Sequence, residues 1–156
     1  MKLLWYRKRR GAAVNRVVAF LLAVVTVYVV GVLAYSQLNL AALVELGMPV
    51  TAEVRLSTFV HDLLGMTQIF LPVVIVSLLL ALPVANLIVR KVPQLTVIGY
   101  ISAGFMAMLV MNTILSQAVG GTHPLAVTRT FVGLMSQCIA GALGGYVYVV
   151  TRIRHT

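Results

Sequence analysis

Four long apolar segments divide the chain, and each is free of Asp, Glu, Lys, Arg and His. They cover residues 17–35, 69–89, 95–115 and 131–150. A helix needs about 20 apolar residues to cross roughly 30 Å of hydrocarbon, because each residue rises about 1.5 Å. The pattern therefore predicts an all-α integral membrane protein, in which a single domain forms a four-transmembrane-helix bundle.

The composition of the chain agrees with a bilayer environment. Of the 156 residues, 61% are hydrophobic and only 10% are charged, whereas soluble domains carry about a quarter charged residues. Twelve bases and three acids are too few to form the polar surface of a soluble domain of this size. The composition thereby excludes a soluble globular fold.

The charged residues fall unevenly on the segments between the spans. Residues 1–16, 90–94 and 151–156 hold ten bases and no acid, whereas 36–68 and 116–130 hold two bases and all three acids. Because cytoplasmic loops retain Lys and Arg, this asymmetry predicts a multi-pass protein of a bacterial-type inner (cytoplasmic) membrane with both termini in the cytoplasm.

The first span follows a basic arm, as the apolar core of a signal peptide does. It is longer than the usual signal-peptide core of about 7 to 15 residues, so we expect the span to be retained and not cleaved.

The basic residues also decide between two kinds of partner. A net charge of +9 would indicate nucleic acid in a soluble protein, but bases beside a membrane favour anionic headgroups by about 1 kcal/mol each. We therefore expect anionic lipid at the cytoplasmic face and no nucleic acid, with a protein partner or an acidic ligand at residues 2–16 as the alternative. The predicted anchoring residues are Trp5, Arg7, Lys8, Arg9, Arg10, Arg16, Arg90, Lys91, Arg152 and Arg154.

The first external segment, 36–68, has helical periodicity of its own. Residues 38–46 read as a short amphipathic helix that stops at Gly47, and apolar positions within 55–66 line one face of a second helix. The pattern predicts a helix that lies in the membrane interface, packs over the outer ends of the bundle, or holds an external partner.

Reactive side chains are sparse. A single cysteine, Cys138, excludes an intrachain disulfide and a Cys-rich metal site. His61, Asp62 and His123 form a weak external cluster that exists only if the two outer loops meet, and a metal needs several convergent ligands. Because no span holds Asp, Glu, Lys, Arg or His, a proton-coupled exporter and a bis-histidine haem bundle are disfavoured. We expect no cofactor, no metal and no enzymatic activity.

The polar residues inside the spans are uncharged. Such groups commonly join helices by hydrogen bonds, and the alternative is a polar lining for a small substrate path. The residues of this possible lining are Asn86, Ser102, Asn112, Ser136 and Gln137.

Small residues recur every four positions in the last two spans. Gly141 and Gly145 have the GxxxG spacing, and Ala140 and Gly144 repeat it one residue earlier. This spacing lets two helices approach closely, which indicates packing within the chain or, as the alternative, a homo-oligomer. The predicted helix-packing residues are Gly99, Ala103, Gly133, Ala140, Gly141, Gly144 and Gly145.

These observations favour a non-catalytic accessory, assembly or scaffold subunit of a membrane complex, whose partners are other membrane subunits or further copies of itself. The motivation is the lack of reactive groups beside an apolar external segment and a close-packing helix face. The alternative is a small transporter, channel or lipid-handling protein that acts as a homo-oligomer.

Overall fold

The computed structural model describes the backbone of residues 2–118 and 130–154, and the side chains of 16–115, 117 and 130–153. Within these ranges every regular element is a helix. The α-helices are α1 (Lys2–Glu45), α2 (Ala52–Gly65), α3 (Phe70–Lys91), α4 (Thr96–Ala118) and α5 (Phe131–Arg154), and short 3₁₀ turns at Met66–Gln68 and Pro93–Leu95 precede α3 and α4.

Four of these helices are long and apolar enough to cross a membrane. The candidate spans are Arg16–Glu45 in α1, Phe70–Lys91 in α3, Pro93–Leu115 at α4 and Phe131–Ile153 in α5. The predicted all-α character and the four apolar spans are therefore confirmed, and the chain is a multi-pass membrane protein by helix length and composition.

The first helix is longer than its predicted span. It continues without a break from Lys2 to Glu45, so residues 38–45 belong to α1 and do not form a separate helix, and Leu46 follows in the turn. The helix ends where Gly47 adopts a φ of +81°, with the Gly47 N–H bonded to the Val44 carbonyl at 2.9 Å and the Met48 N–H to the Leu43 carbonyl at 3.2 Å. This is a Schellman cap, and glycine occupies the left-handed position at no steric cost.

The helix α2 lies alongside the second half of α1. Thr51 caps its start, because its hydroxyl accepts a hydrogen bond from the Val54 N–H at 3.3 Å. Arg55 donates to the side-chain oxygen of Gln37 at 2.8 Å, and the Tyr28 hydroxyl bonds to the Leu63 carbonyl. No residue of α2 is fully buried, so the helix is attached to the bundle at its surface.

In the bundle, α5 packs against both α1 and α4, while α3 packs against α4 and α1. Gln137 of α5 bonds to Gly31 of α1, and Gly144, about two turns further along α5, lies beside Ala23, so these two helices are antiparallel. We call the end of the bundle that holds Arg16, Arg90, Lys91 and Arg152 the basic end. The core between the helices includes Ala19, Ala23, Val27, Val74, Leu78, Tyr100, Met108 and Val149.

Candidate functional site

The helices α4 and α5 meet backbone to backbone. A Cβ atom added to Gly104 would lie 2.1 Å from the Gly141 carbonyl oxygen, and one added to Gly141 would lie 2.3 Å from the Gly104 carbonyl oxygen. One turn further, a Cβ on Gly145 would lie 2.1 Å from the Tyr100 carbonyl oxygen. Only glycine permits this approach, so the contact fixes how the two helices sit together.

The same stretch of α5 also faces α1. A Cβ on Gly144 would lie 2.2 Å from the Val27 Cγ2 atom, and Ala140 is fully buried. Gly133 lies at the start of α5, where its N–H bonds to the Thr130 hydroxyl at 3.1 Å. The predicted small residues of α5 are all buried, and Gly141, Gly144 and Gly145 lie at contacts with α1 and α4.

The face of α4 that meets α5 differs from the one the sequence suggested. It carries Tyr100, Gly104 and Met108, so Gly104 is a packing residue that sequence reasoning missed. Gly99 and Ala103 lie on the other side, where a Cβ on Gly99 would lie 2.8 Å from Val89 of α3. The sequence pattern identified Gly99 and Ala103 because they are small residues four positions apart. Gly104 has no small residue four positions away on either side, so it forms no such repeat.

A long apolar groove runs between α3 and α4 on the outer surface of the bundle, with a volume of about 570 Å³. It extends along α4 from Gly99 to Ile114, which corresponds to about 22 Å of helix. Small residues form much of its lining, and large aliphatic side chains accompany them. The lining residues are Ser77, Leu80, Ala81, Val84, Ala85, Ile88, Gly99, Ser102, Ala103, Met106, Ala107, Val110, Met111 and Ile114.

The polar residues predicted as a possible lining lie in separate places. Ser102 is exposed in the groove, and Asn86 lies at the basic end. Asn112 is buried and donates to the Met108 carbonyl of its own helix at 2.9 Å. Ser136 likewise donates to the Gly133 carbonyl at 2.7 Å. These four groups do not meet in one described cleft.

Gln137 joins α5 to α1 inside the bundle. It is 1% exposed, and its amide nitrogen donates to the Gly31 carbonyl at 3.0 Å, while its side-chain oxygen has no hydrogen-bond partner among the described residues. The bond contributes about 1 kcal/mol, and the unpaired oxygen costs a similar amount or more.

We therefore expect Gln137→Met to change the free energy of unfolding by less than about 1 kcal/mol, because the lost bond and the removed unpaired oxygen offset each other. Gln137→Ala leaves a cavity instead and should lower the free energy of unfolding by about 2 kcal/mol. Unfolding of both variants by SDS in mixed micelles checks this pair. A Met variant as unstable as the Ala variant would show that the hydrogen bond dominates.

At the basic end, three helices contribute to one polar cluster. Arg152 of α5 donates to the Asn86 side-chain oxygen of α3 at 3.0 Å and bonds to the Tyr100 hydroxyl of α4. Tyr100 also donates to Asn86 at 3.2 Å, and its ring lies 5.2 Å from that of Tyr148, centroid to centroid. Arg152, predicted as a membrane anchor, is thus also part of the helix packing.

The other predicted residues are placed as follows. Arg16 is exposed and lines a cleft at the basic end, and Arg90 and Lys91 are exposed at the end of α3. The side chains of Trp5, Arg7, Lys8, Arg9, Arg10 and Arg154 lie outside the described residues, as does all of His123.

The cluster predicted from His61, Asp62 and His123 is described only in part. His61 is exposed and Asp62 is half-buried on α2. Within residues 2–118 and 130–154, no group of three or more His, Cys, Asp or Glu side chains is arranged to hold a metal ion. Cys138 is a free, buried thiol.

A comparison of the chain with protein-family models, curated proteins and solved structures found no match.

Proposed function

We propose that this protein is a non-catalytic accessory or assembly subunit of a membrane complex, and that a transmembrane helix of a different subunit packs into the groove between α3 and α4. The observation that carries the proposal is the groove itself. Its length of about 22 Å covers most of the roughly 30 Å hydrocarbon layer, as a crossing helix requires.

The lining of the groove favours a helix over a lipid chain. Small residues at Ala103 and Ala107 let another backbone approach, and the protein joins α4 to α5 by the same means at Gly104. Ser102 exposes a hydroxyl inside the groove. A hydroxyl contributes when it bonds to a neighbouring helix and gains nothing from an acyl chain.

The shape of the groove favours a different subunit over a second copy. A twofold dimer places the same surface on both sides of its interface, and two concave grooves do not fill each other. A head-to-tail contact would instead place a convex face of one copy in the groove of the next, which forms rings or open chains. A helix from another protein fills the groove without either restriction.

The helix α2 offers a second uncovered apolar surface. Leu56, Val60 and Leu64 are exposed by 66%, 47% and 72%, and they recur at the spacing of one helix face. In the proposed orientation, with both termini in the cytoplasm of an inner-membrane protein, this face lies on the outer side. It would contact the external part of the same partner or the membrane interface.

The test is extraction of tagged protein from its native membrane in mild detergent or nanodiscs, followed by mass spectrometry. We expect a foreign membrane subunit in fixed ratio with the wild-type protein. Ser102→Leu places a larger side chain in the groove and removes the hydroxyl, so recovery of the foreign subunit should fall at least tenfold. Thr26→Leu is the matched control, because it also replaces a hydroxyl residue of a span with leucine but lies on α1, which does not line the groove.

Either of two results would overturn the proposal. Equal recovery of the foreign subunit with Ser102→Leu and Thr26→Leu would show that the groove is not the docking site. A lone homo-oligomer would favour a transporter, channel or lipid-handling protein instead, and a flux assay on that particle would be the next step.

A further inference from the structure

Two arginine side chains from opposite ends of the chain meet at one cleft. This cleft lies between α1, α3 and α5 at the basic end, has a volume of about 210 Å³, and is lined by both Arg16 and Arg152. The bond of Gln137 to Gly31 sets the register of the antiparallel helices α5 and α1. Arg152 lies 15 residues after Gln137, and Arg16 lies 15 residues before Gly31. Both arginines therefore lie at the same level, about 22 Å from that bond.

The Arg152 guanidinium is held in place by its neighbours. It bonds to the Asn86 oxygen at 3.0 Å and to the Tyr100 hydroxyl, and its carbon lies 5.8 Å from the centre of the Tyr100 ring. These contacts come from α3 and α4, while Arg152 belongs to α5. The group is thus oriented before any ligand arrives, which lowers the entropy cost of binding one.

The charge balance of this region favours an anion. Two like charges that line one partly enclosed cleft repel each other, and an anion between them turns that repulsion into attraction. The acids lie far away. Glu45 is 29 residues after Arg16 on the same helix, about 43 Å away, and Glu53 and Asp62 belong to α2, which packs on the second half of α1.

We propose that this cleft binds a phosphate group, with Arg16 and Arg152 as its ligands. The guanidinium fork matches the oxygen geometry of phosphate better than any other side chain. Below the arginines, the cleft is lined by Phe20, Leu78 and Leu82, so it joins a cationic mouth to an apolar floor. A phospholipid headgroup and a soluble phosphate share the proposed chemistry.

The cleft and the groove between α3 and α4 use different faces of α3. The phosphate proposal is therefore independent of the proposed function.

Native mass spectrometry of the full-length protein in detergent micelles tests the proposal by titration with phosphatidylglycerol. We expect one lipid to bind more tightly than the rest, with at least a tenfold loss of affinity in Arg16→Gln and in Arg152→Gln. Lys91→Gln is the matched control, because it removes one charge at the same end but lies outside the cleft, and it should change the affinity less than twofold. Arg16→Gln leaves the Arg152 cluster intact, so its result stands even if Arg152→Gln fails to fold.

A second arm identifies the source of the phosphate. Inorganic phosphate is added to wild-type protein in phosphatidylcholine nanodiscs, and the unfolding temperature is compared with that of Arg16→Gln. Stabilisation that is lost in Arg16→Gln supports a soluble ligand, whereas tight binding of phosphatidylglycerol alone supports a headgroup. The proposal is overturned if neither ligand distinguishes wild type from Arg16→Gln, or if Lys91→Gln weakens lipid binding as much as Arg16→Gln does.

Discussion

Replacement of Gly104 with alanine is expected to lower the free energy of unfolding by about 2 kcal/mol. The added Cβ would lie 2.1 Å from the Gly141 carbonyl oxygen. Because the opposing atom belongs to the backbone, no change of side-chain rotamer relieves the overlap, and α4 and α5 must separate. SDS-induced unfolding in mixed micelles, followed by circular dichroism, measures the loss.

Two further variants show whether this loss arises at the helix contact. Gly65→Ala is the matched control, because a Cβ at Gly65 meets nothing within 4 Å, and it should leave stability within about 1 kcal/mol of wild type. Gly141→Ala alone should resemble Gly104→Ala, and the double variant should lose less than the sum, since the first substitution already opens the contact. Additive losses, or a Gly104→Ala protein as stable as wild type, would contradict the described packing.

The second large effect is expected at the basic end. Arg152→Met should lower the free energy of unfolding by about 2 kcal/mol, because hydrogen bonds to a charged group contribute about 1.5 to 3 kcal/mol. The substitution removes the guanidinium that joins Asn86 and Tyr100, which keep only the 3.2 Å bond between themselves. The same SDS titration measures the change in phosphate-free buffer.

Arg152→Lys and Lys91→Met separate packing from charge. A lysine keeps the charge but lacks the planar fork, so Arg152→Lys should recover only part of the stability. Lys91→Met removes an exposed charge from the same end of the bundle and should change stability by less than about 0.5 kcal/mol. If Lys91→Met destabilised the protein as much as Arg152→Met, general charge at the membrane surface would explain the effect.

The spans could be predicted because hydropathy is a local property. The predicted segment 131–150 lies within α5, and 69–89 differs from α3 by one residue at its start. The continuation of α1 to Glu45 could not be predicted in the same way. Ser36 and Gln37 resemble the polar end of a span, but Ser36 is fully buried and Gln37 bonds to Arg55, so contacts distant in sequence maintain the helix.

The interhelical contacts depend on which faces of the helices meet, and periodicity alone does not fix that. The repeat at Gly141 and Gly145 marked a close-packing face of α5, but its partner Gly104 stands between Tyr100 and Met108 and forms no repeat. The cluster of Arg152 with residues 86 and 100 draws on three helices. No local pattern connects positions so far apart in the chain.

The proposed function is tested most directly by a photo-cross-linking amino acid placed at position 102 in native membranes, with position 26 on α1 as the control. If a partner helix lies in the groove, position 102 should form an adduct with one foreign membrane subunit and position 26 should form none. An adduct of twice the 16.9 kDa chain mass, or reaction with lipid alone at position 102, would contradict it.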